Sequence, residues 1–433
     1  MSAYAPTSTG EPAGALQTPP EAHYVRKPAL PALTGLRTFL ALLIVLFHFT
    51  PSGLSRQVMI GGHPFLFTLY PLIDNGFVFV GFFFLISGYI LAYNYLDRLD
   101  RLSMADFWVA RLSRLYPVYL FALLLFLPML LHEWQVRSRA DFWEGTLLSL
   151  VLMQGWFPNL ATFWNLVAWT LSCEITLYAI FPWLLRAPWP ERPWRLVALV
   201  LGFWAVGLVP HGIYLLLNPD HLPTIANYTS HSALAKSMGL DVVHVVATTR
   251  YSGGTWLNWL KFTPIPYLCT FLAGMALGKL QSVTHPTPHH RALIALVGFA
   301  LAFVCFWRLV PHVPYIVMHG GFLTPVFALI IYGLSGPSWI ARPFSWRPLI
   351  TIGASSYCLY LLHFNTFVLI QRYHLPQRLH LARFDPWASY VFLVLFAVAT
   401  RTWLEHPMQQ RIQRRWKAHQ RKAHQPSASP LSR

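Results

Sequence analysis

Charge is what this chain has least of. Only 11% of its 433 residues are Asp, Glu, Lys or Arg, less than half the share of about 25% usual in soluble domains. Negative charge is scarcest: 15 acidic residues stand against 32 basic ones, a net charge of +17. In a soluble protein that surplus would point to nucleic acid. Here the basic residues cluster in short loops and at the C-terminal end, a positive-inside pattern that excludes a nucleic-acid partner. Cysteine is scarce too. Cys173, Cys269, Cys305 and Cys358 all fall in apolar segments and none forms a C-x-x-C pair. This excludes a disulfide framework and a zinc site and leaves four small buried hydrophobes. Residues 1–31, rich in Pro, Ala, Thr and Glu, lack a short apolar core followed by a cleavage site. They read as a disordered cytoplasmic tail and not as a cleaved signal peptide. No internal repeat is evident.

What is abundant is apolar. The chain is 55% hydrophobic and 16% aromatic, with 18 tryptophans and 19 tyrosines that fit interfacial belts. Apolar segments recur near 32–50, 76–95, 116–132, 146–157, 166–185, 196–217, 262–279, 293–310, 320–334, 350–371 and 387–404. A spanning helix needs about 20 residues. The fourth segment, "TLLSLVLMQGWF", is shorter and carries Gln154 and Gly155, so it reads as a half-inserted helix packed inside the protein. The fold class is therefore an all-α polytopic integral membrane protein of about ten transmembrane helices plus one half-inserted helix. With both termini cytoplasmic, roughly two-thirds of the 32 lysines and arginines fall on the inner side. A crossing by the fourth segment would throw 186–195 and every later basic loop outside. One long outer loop, near 218–261, could cap an outward-facing cleft.

Ionisable groups inside spans are costly and mark functional sites. "LTGLRTFLALLIVLFHF", Leu33 to Phe49, carries Arg37 and His48, 11 residues and almost three whole turns apart. Both face the same way, roughly 16 Å apart along the axis. "WTLSCEITLY" holds Ser172 and Glu174, a carboxylate that needs a buried partner, a histidine or arginine on a neighbouring helix. "SSYCLYLLHF" puts Ser356, Tyr360 and His363 on one helical face. His48, Glu174 and His363 all fall at mid-membrane or in its outer half. On the inner side, "FWVARLSRLYPVYL" spaces Arg111 and Arg114 at i, i+3, so one face presents two guanidiniums suited to bidentate phosphate binding.

Arg37-x10-His48, "GFVFVGFFFLISGYIL", "RLSRLYPVY", "WTLSCEITLYAIFP", "SYCLYLLHF" and "LEHP" occur in order over residues 32 to 407. Together they resemble the membrane acyltransferase-3 family. The resemblance implies a membrane acyltransferase domain over 32–407, followed by a basic cytoplasmic tail at 408–433 with no further domain. It implies transfer of an acyl group, acetyl foremost, from a cytoplasmic acyl-CoA co-substrate, with no metal. The acceptor is then a hydroxyl of an extracytoplasmic or membrane-linked molecule, a glycan foremost. The setting is the inner membrane, in association with cell-envelope polysaccharide machinery. His48 and Arg37 take the catalytic places of R-x10-H, and Arg111 and Arg114 the donor-binding places. Gly81 stands where many members have an acidic residue, and Ala110 where a further arginine is frequent. Within this picture His48 is the general base, Glu174 orients or charge-balances His48 or His363, and direct transfer and an acyl-histidine both stay open. The competing class is a proton-coupled transporter or flippase of a glycan or lipid-linked sugar. Against it, no pair of Gly/Pro-broken segments recurs in matching halves.

Overall fold

A polar backbone cannot face lipid unpaired, so a chain with this many apolar runs must pair its own N–H and C=O groups. It does so in helices. The computed structural model describes residues 27–49, 69–217 and 252–423, and no strand occurs among them. The helices are α1 (Pro31–Phe49), α2 (Val78–Tyr95), α3 (Met104–Leu125), α4 (Leu127–Val136), α5 (Arg139–Leu150), α6 (Trp169–Leu185), α7 (Pro193–Leu217) and α8 (Ser252–Phe262). There follow α9 (Pro264–Val283), α10 (Pro288–Val304), α11 (Tyr315–His319), α12 (Thr324–Leu334), α13 (Arg347–Ala354), α14 (Ser356–Arg372), α15 (Trp387–Thr400) and α16 (His406–Ala423). Among the described residues, 8 helices are long and apolar enough to cross a membrane; α13 with α14 forms one further, bent candidate, and α6 is a shorter apolar helix. These eight or nine candidate spans and α6 fall on the ten apolar segments expected to cross. The N-terminal tail before residue 27 and most of the 218–261 loop lie outside the described residues.

The scaffold is set by close backbone approaches. α2 packs along α9 because glycines meet there: a Cβ on Gly88 would lie 2.1 Å from Phe271 O, and one on Gly274 2.1 Å from Leu85 O. Gly274 and Gly278 form a G-x-x-x-G face, the device by which membrane helices gain packing where lipid removes the hydrophobic drive. α1 lies against α13 and α14, and α7 covers the far side of α9.

Two departures from regular helix position the site. After α5 the chain does not cross. It turns at Leu152 and runs without regular helix, apart from one short turn, to Ala168. Most of this stretch is buried, with Met153, Phe157 and Asn159 exposed, and side chains satisfy part of its polar backbone: Gln154 Nε2 donates to Ala168 O at 3.3 Å, Trp164 O accepts from Asn365 Nδ2 at 3.0 Å, and Gly155 N donates to Ser172 Oγ at 3.1 Å. Irregular backbone at this depth is tolerated only when enclosed in protein. The second departure lies within the apolar segment 350–371. The run bends by 62° between α13 and α14. Ser355 sits at the break and its Oγ donates to Thr351 O at 3.0 Å, the back-bonding by which serine pairs bend helices.

Several exposed tryptophans, Trp183, Trp194, Trp346 and Trp387 among them, stand at or near the ends of helices. All four cysteines are free thiols. The basic stretch beyond 407 is helical to Ala423. α16 lies along α3, with Trp416 Nε1 and Gln420 Nε2 donating to Asp106 Oδ1 at 2.6 and 2.7 Å and Gln413 Nε2 donating to Ser113 Oγ at 3.3 Å.

Candidate active site

Two cavities lie one beyond the other along α1. The first, with an empty space of about 870 Å³ counting its open mouth, is lined by Arg37, Arg111, Arg114, Glu174, Tyr178 and Ser356 among others. The spacing on α3 predicts a shared face for Arg111 and Arg114, and both side chains reach this one chamber. Their environments differ. Arg114 Nε donates to Glu405 Oε1 at 3.3 Å, and Glu405 is itself buried at the end of the last span, where its Oε2 accepts from Cys358 Sγ at 3.1 Å. Arg111 sits among aromatic rings. Its guanidinium carbon is 5.8 Å from the Tyr95 ring, 5.7 Å from Phe107 and 5.8 Å from Tyr178, and its Nη2 donates to Tyr95 OH at 3.3 Å. Arg37 lies 5.7 Å from the Phe83 ring.

The chamber has donors in excess. The Nε–H groups of Arg37 and Arg111 are buried without a hydrogen-bond partner among the described residues. Three guanidiniums face two carboxylates, Glu174 and Glu405, and Tyr178 OH already donates to Glu174. A buried unsatisfied donor costs about 1–3 kcal/mol, more when charged. Such a group is explained by a ligand that supplies the missing acceptors, and forked guanidiniums match the oxygens of a phosphate. Glu174 thus lies with the arginines. Its hydrogen bond comes from Tyr178 one turn away on α6, and no histidine among the described residues bonds to it, so the expected pairing with His48 or His363 does not form. Ser356 faces the same chamber, whereas Ser172 is fully buried and accepts from Gly155 N.

The second cavity, an empty space of about 660 Å³, is lined by His48, Lys261, His319, Tyr315, Trp169 and Phe47 among others. α1 therefore presents Arg37 to one chamber and His48, three turns on, to the next. Two hydrogen-bond contacts of His48 fix its ring geometry. Its Nδ1 lies 2.9 Å from Ile44 O and 3.1 Å from His363 Nε2, while His363 Nδ1 lies 2.6 Å from Tyr360 O. A carbonyl oxygen only accepts, so in the neutral rings each Nδ1 carries the proton. His363 Nε2 then accepts from His48 Nδ1–H, and the lone pair of the His48 ring is on Nε2. His363 is fully buried behind His48 and does not line the cavity. Such a chain of bonds fixes the rotation of the His48 ring.

Three residues of these chambers escape a reading by segments. Lys261 is 95% buried, its ammonium 5.0 Å from the Phe262 ring and 5.1 Å from Tyr315. His319 Nε2 accepts from Tyr315 OH at 2.9 Å, and its Nδ1–H points to Tyr267 OH at 3.4 Å, which in turn donates to Lys261 O at 2.6 Å. Both fall at the edges of apolar runs. Glu405 falls just after the last run, where the only signal is the Glu-x-Pro of "LEHP".

A family model described as Acyltransferase domain matches residues 30–405, and the chain belongs to that acyltransferase-3 family. It is 30% identical over 156 residues to acyltransferase MdmB of Streptomyces mycarofaciens, covering 35% of this chain and 38% of that one. It is 24% identical over 370 residues to O-acetyltransferase OatA of Staphylococcus aureus, covering 80% of this chain and 52% of the relative. It is 23% identical over 368 residues to the putative peptidoglycan O-acetyltransferase YrhL of Bacillus subtilis, covering 78% and 49%. The chain thus spans about half the length, or less, of these curated relatives. No solved structure matches.

Proposed function

We propose that this member of the acyltransferase-3 family moves a short acyl group, acetyl foremost, from an acyl-CoA donor held in the arginine chamber to a hydroxyl in the histidine chamber. The observation that carries the reading is the adjacency of the two cavities. They share the lining residues Val80 and Tyr360, with buried unsatisfied guanidinium N–H groups on one side and the His48–His363 pair on the other. Arg111 and Arg37 bind donor phosphate oxygens, and Arg114, neutralised by Glu405, holds the wall in place. His48 Nε2 takes the proton of the acceptor hydroxyl as its oxygen attacks the thioester carbonyl. The C–S bond breaks, an ester C–O bond forms, and His48 returns the proton to the departing sulfur. His363 keeps the His48 ring in the tautomer and rotation that this step needs.

The positive-inside distribution of the loops supports a donor mouth on the cytoplasmic face, with both termini there and the acceptor reached from the other side. In this reading the chain sits in the inner membrane. A glycan acceptor is supported by the relative YrhL, named a putative peptidoglycan O-acetyltransferase. The test is release of coenzyme A thiol from acetyl-CoA by the purified protein in lipid vesicles supplied with soluble peptidoglycan fragments. Thiol release coupled to ester formation on the glycan is expected. Glycan movement across the bilayer without thiol release would replace this reading with a transporter.

A further inference from the structure

The two chambers are separated by a thin partition. Only Val80 of α2 and Tyr360 of α14 line both cavities. α6 straddles the same plane: Trp169 lines the histidine chamber and Thr170 the arginine chamber. Tyr360 is anchored at both ends. Its hydroxyl lies 3.4 Å from Val167 O, on the buried irregular stretch before α6, and its backbone carbonyl accepts from His363 Nδ1 at 2.6 Å. Its ring centroid is 5.7 Å from that of His363. In the donor reading, a thioester that enters beside the arginines reaches His48 past the two side chains that line both cavities, Tyr360 and Val80. Both lie on packed helices, and Val80 is buried. Well-packed interiors of this kind yield little to an extra methylene.

We infer that Tyr360 and Val80 form the aperture that selects the acyl group by length, passing a short chain to His48 and refusing a longer one. This rests on the donor reading above and adds a specificity determinant to it. The Tyr360 side chain makes the narrowing while its backbone carbonyl holds His363, so the aperture and the residue that orients the base share one turn of α14. A side chain removed at this point opens space on the donor route without touching the arginines.

The experiment uses the full chain in lipid vesicles and measures kcat/KM for thiol release from acetyl-, butyryl- and hexanoyl-CoA, with soluble peptidoglycan fragments as acceptor. In Tyr360→Ala the butyryl-to-acetyl ratio is expected to rise at least about tenfold, since a methylene's fit in an apolar site is commonly worth 10-fold or more. Val80→Ala should move the ratio the same way by less, and Tyr360→Phe, which keeps the ring, should leave it unchanged. The ratio is immune to a general loss of active protein, and Val80→Ala decides the matter if Tyr360→Ala fails to fold. Ratios that stay within about threefold of wild type in both alanine variants, or in Val80→Ala alone where Tyr360→Ala does not fold, far short of that effect, would overturn the aperture and leave the donor reading standing. Wild-type protein that releases thiol from none of the three donors would overturn the donor reading itself, and the aperture with it.

Discussion

The two chambers treat their ionisable groups in opposite ways. In the arginine chamber the charges are permanent, and two buried N–H groups, on Arg37 and Arg111, have no protein acceptor among the described residues. In the histidine chamber the ring nitrogens on the two helices engage carbonyls and each other, so His48 Nδ1 meets Ile44 O and His363, and His363 Nδ1 meets Tyr360 O. The first arrangement is that of a binding site, whose unmet hydrogen bonds a ligand completes. The second fixes ring orientation in advance, which suits the general base we propose there. One helix, α1, supplies a member of each, and the Arg37-x10-His48 spacing is the rise of the chain from one chamber to the other.

That contrast can be broken most severely at His48. His48→Gln keeps size and some hydrogen bonding but cannot accept a proton, so acyl transfer at matched protein abundance should fall by about 10²–10⁴-fold. Next is Arg111. Removing it deletes charge-assisted bonds worth about 1.5–3 kcal/mol, so Arg111→Ala should raise the KM for acyl-CoA by roughly 10- to 100-fold with a smaller change in kcat. Arg111→Lys should recover only part of this loss, because a point charge lacks the fork and stacks less well on Tyr95 and Phe107. Glu405→Gln should act on the scaffold. It leaves Arg114 without its buried carboxylate and should cost about 1–3 kcal/mol, below the 3–5 kcal/mol of fully buried pairs because Arg114 is partly exposed. A lowered Tm in detergent would show it. The smallest effect is expected from Ser172→Ala, which removes one bond to Gly155 N and should cost about 1 kcal/mol of stability without moving the KM for donor.

How much of this could be read from the residues follows from what helical periodicity encodes. Within one helix the 3.6-residue repeat specifies which side chains share a face, so Arg37 with His48 and Arg111 with Arg114 were legible. The repeat says nothing about how one helix is rotated or shifted against another. Glu174 and His363 therefore read as one cluster, whereas α6 turns the carboxylate toward the arginines and Tyr178. Hydropathy is also blind to a bend, so the break at Ser355 lies hidden in a continuous apolar run. Lys261 and His319 were missed because they stand where an apolar run meets a loop, and burial there depends on the chain packed over it. Glu405 was legible only as part of a closing motif, with its role as partner of Arg114 supplied by a contact across 291 residues of sequence.

The division of labour between the chambers is tested most directly by equilibrium binding of coenzyme A itself, which carries the phosphates and has no acyl group to lose. Wild type and His48→Gln should bind it with Kd values within about twofold of each other, while Arg111→Ala should weaken it roughly tenfold or more, as expected for lost charge-assisted bonds. The account would be contradicted if His48→Gln lost as much affinity as Arg111→Ala, or if Arg111→Ala bound coenzyme A as tightly as wild type.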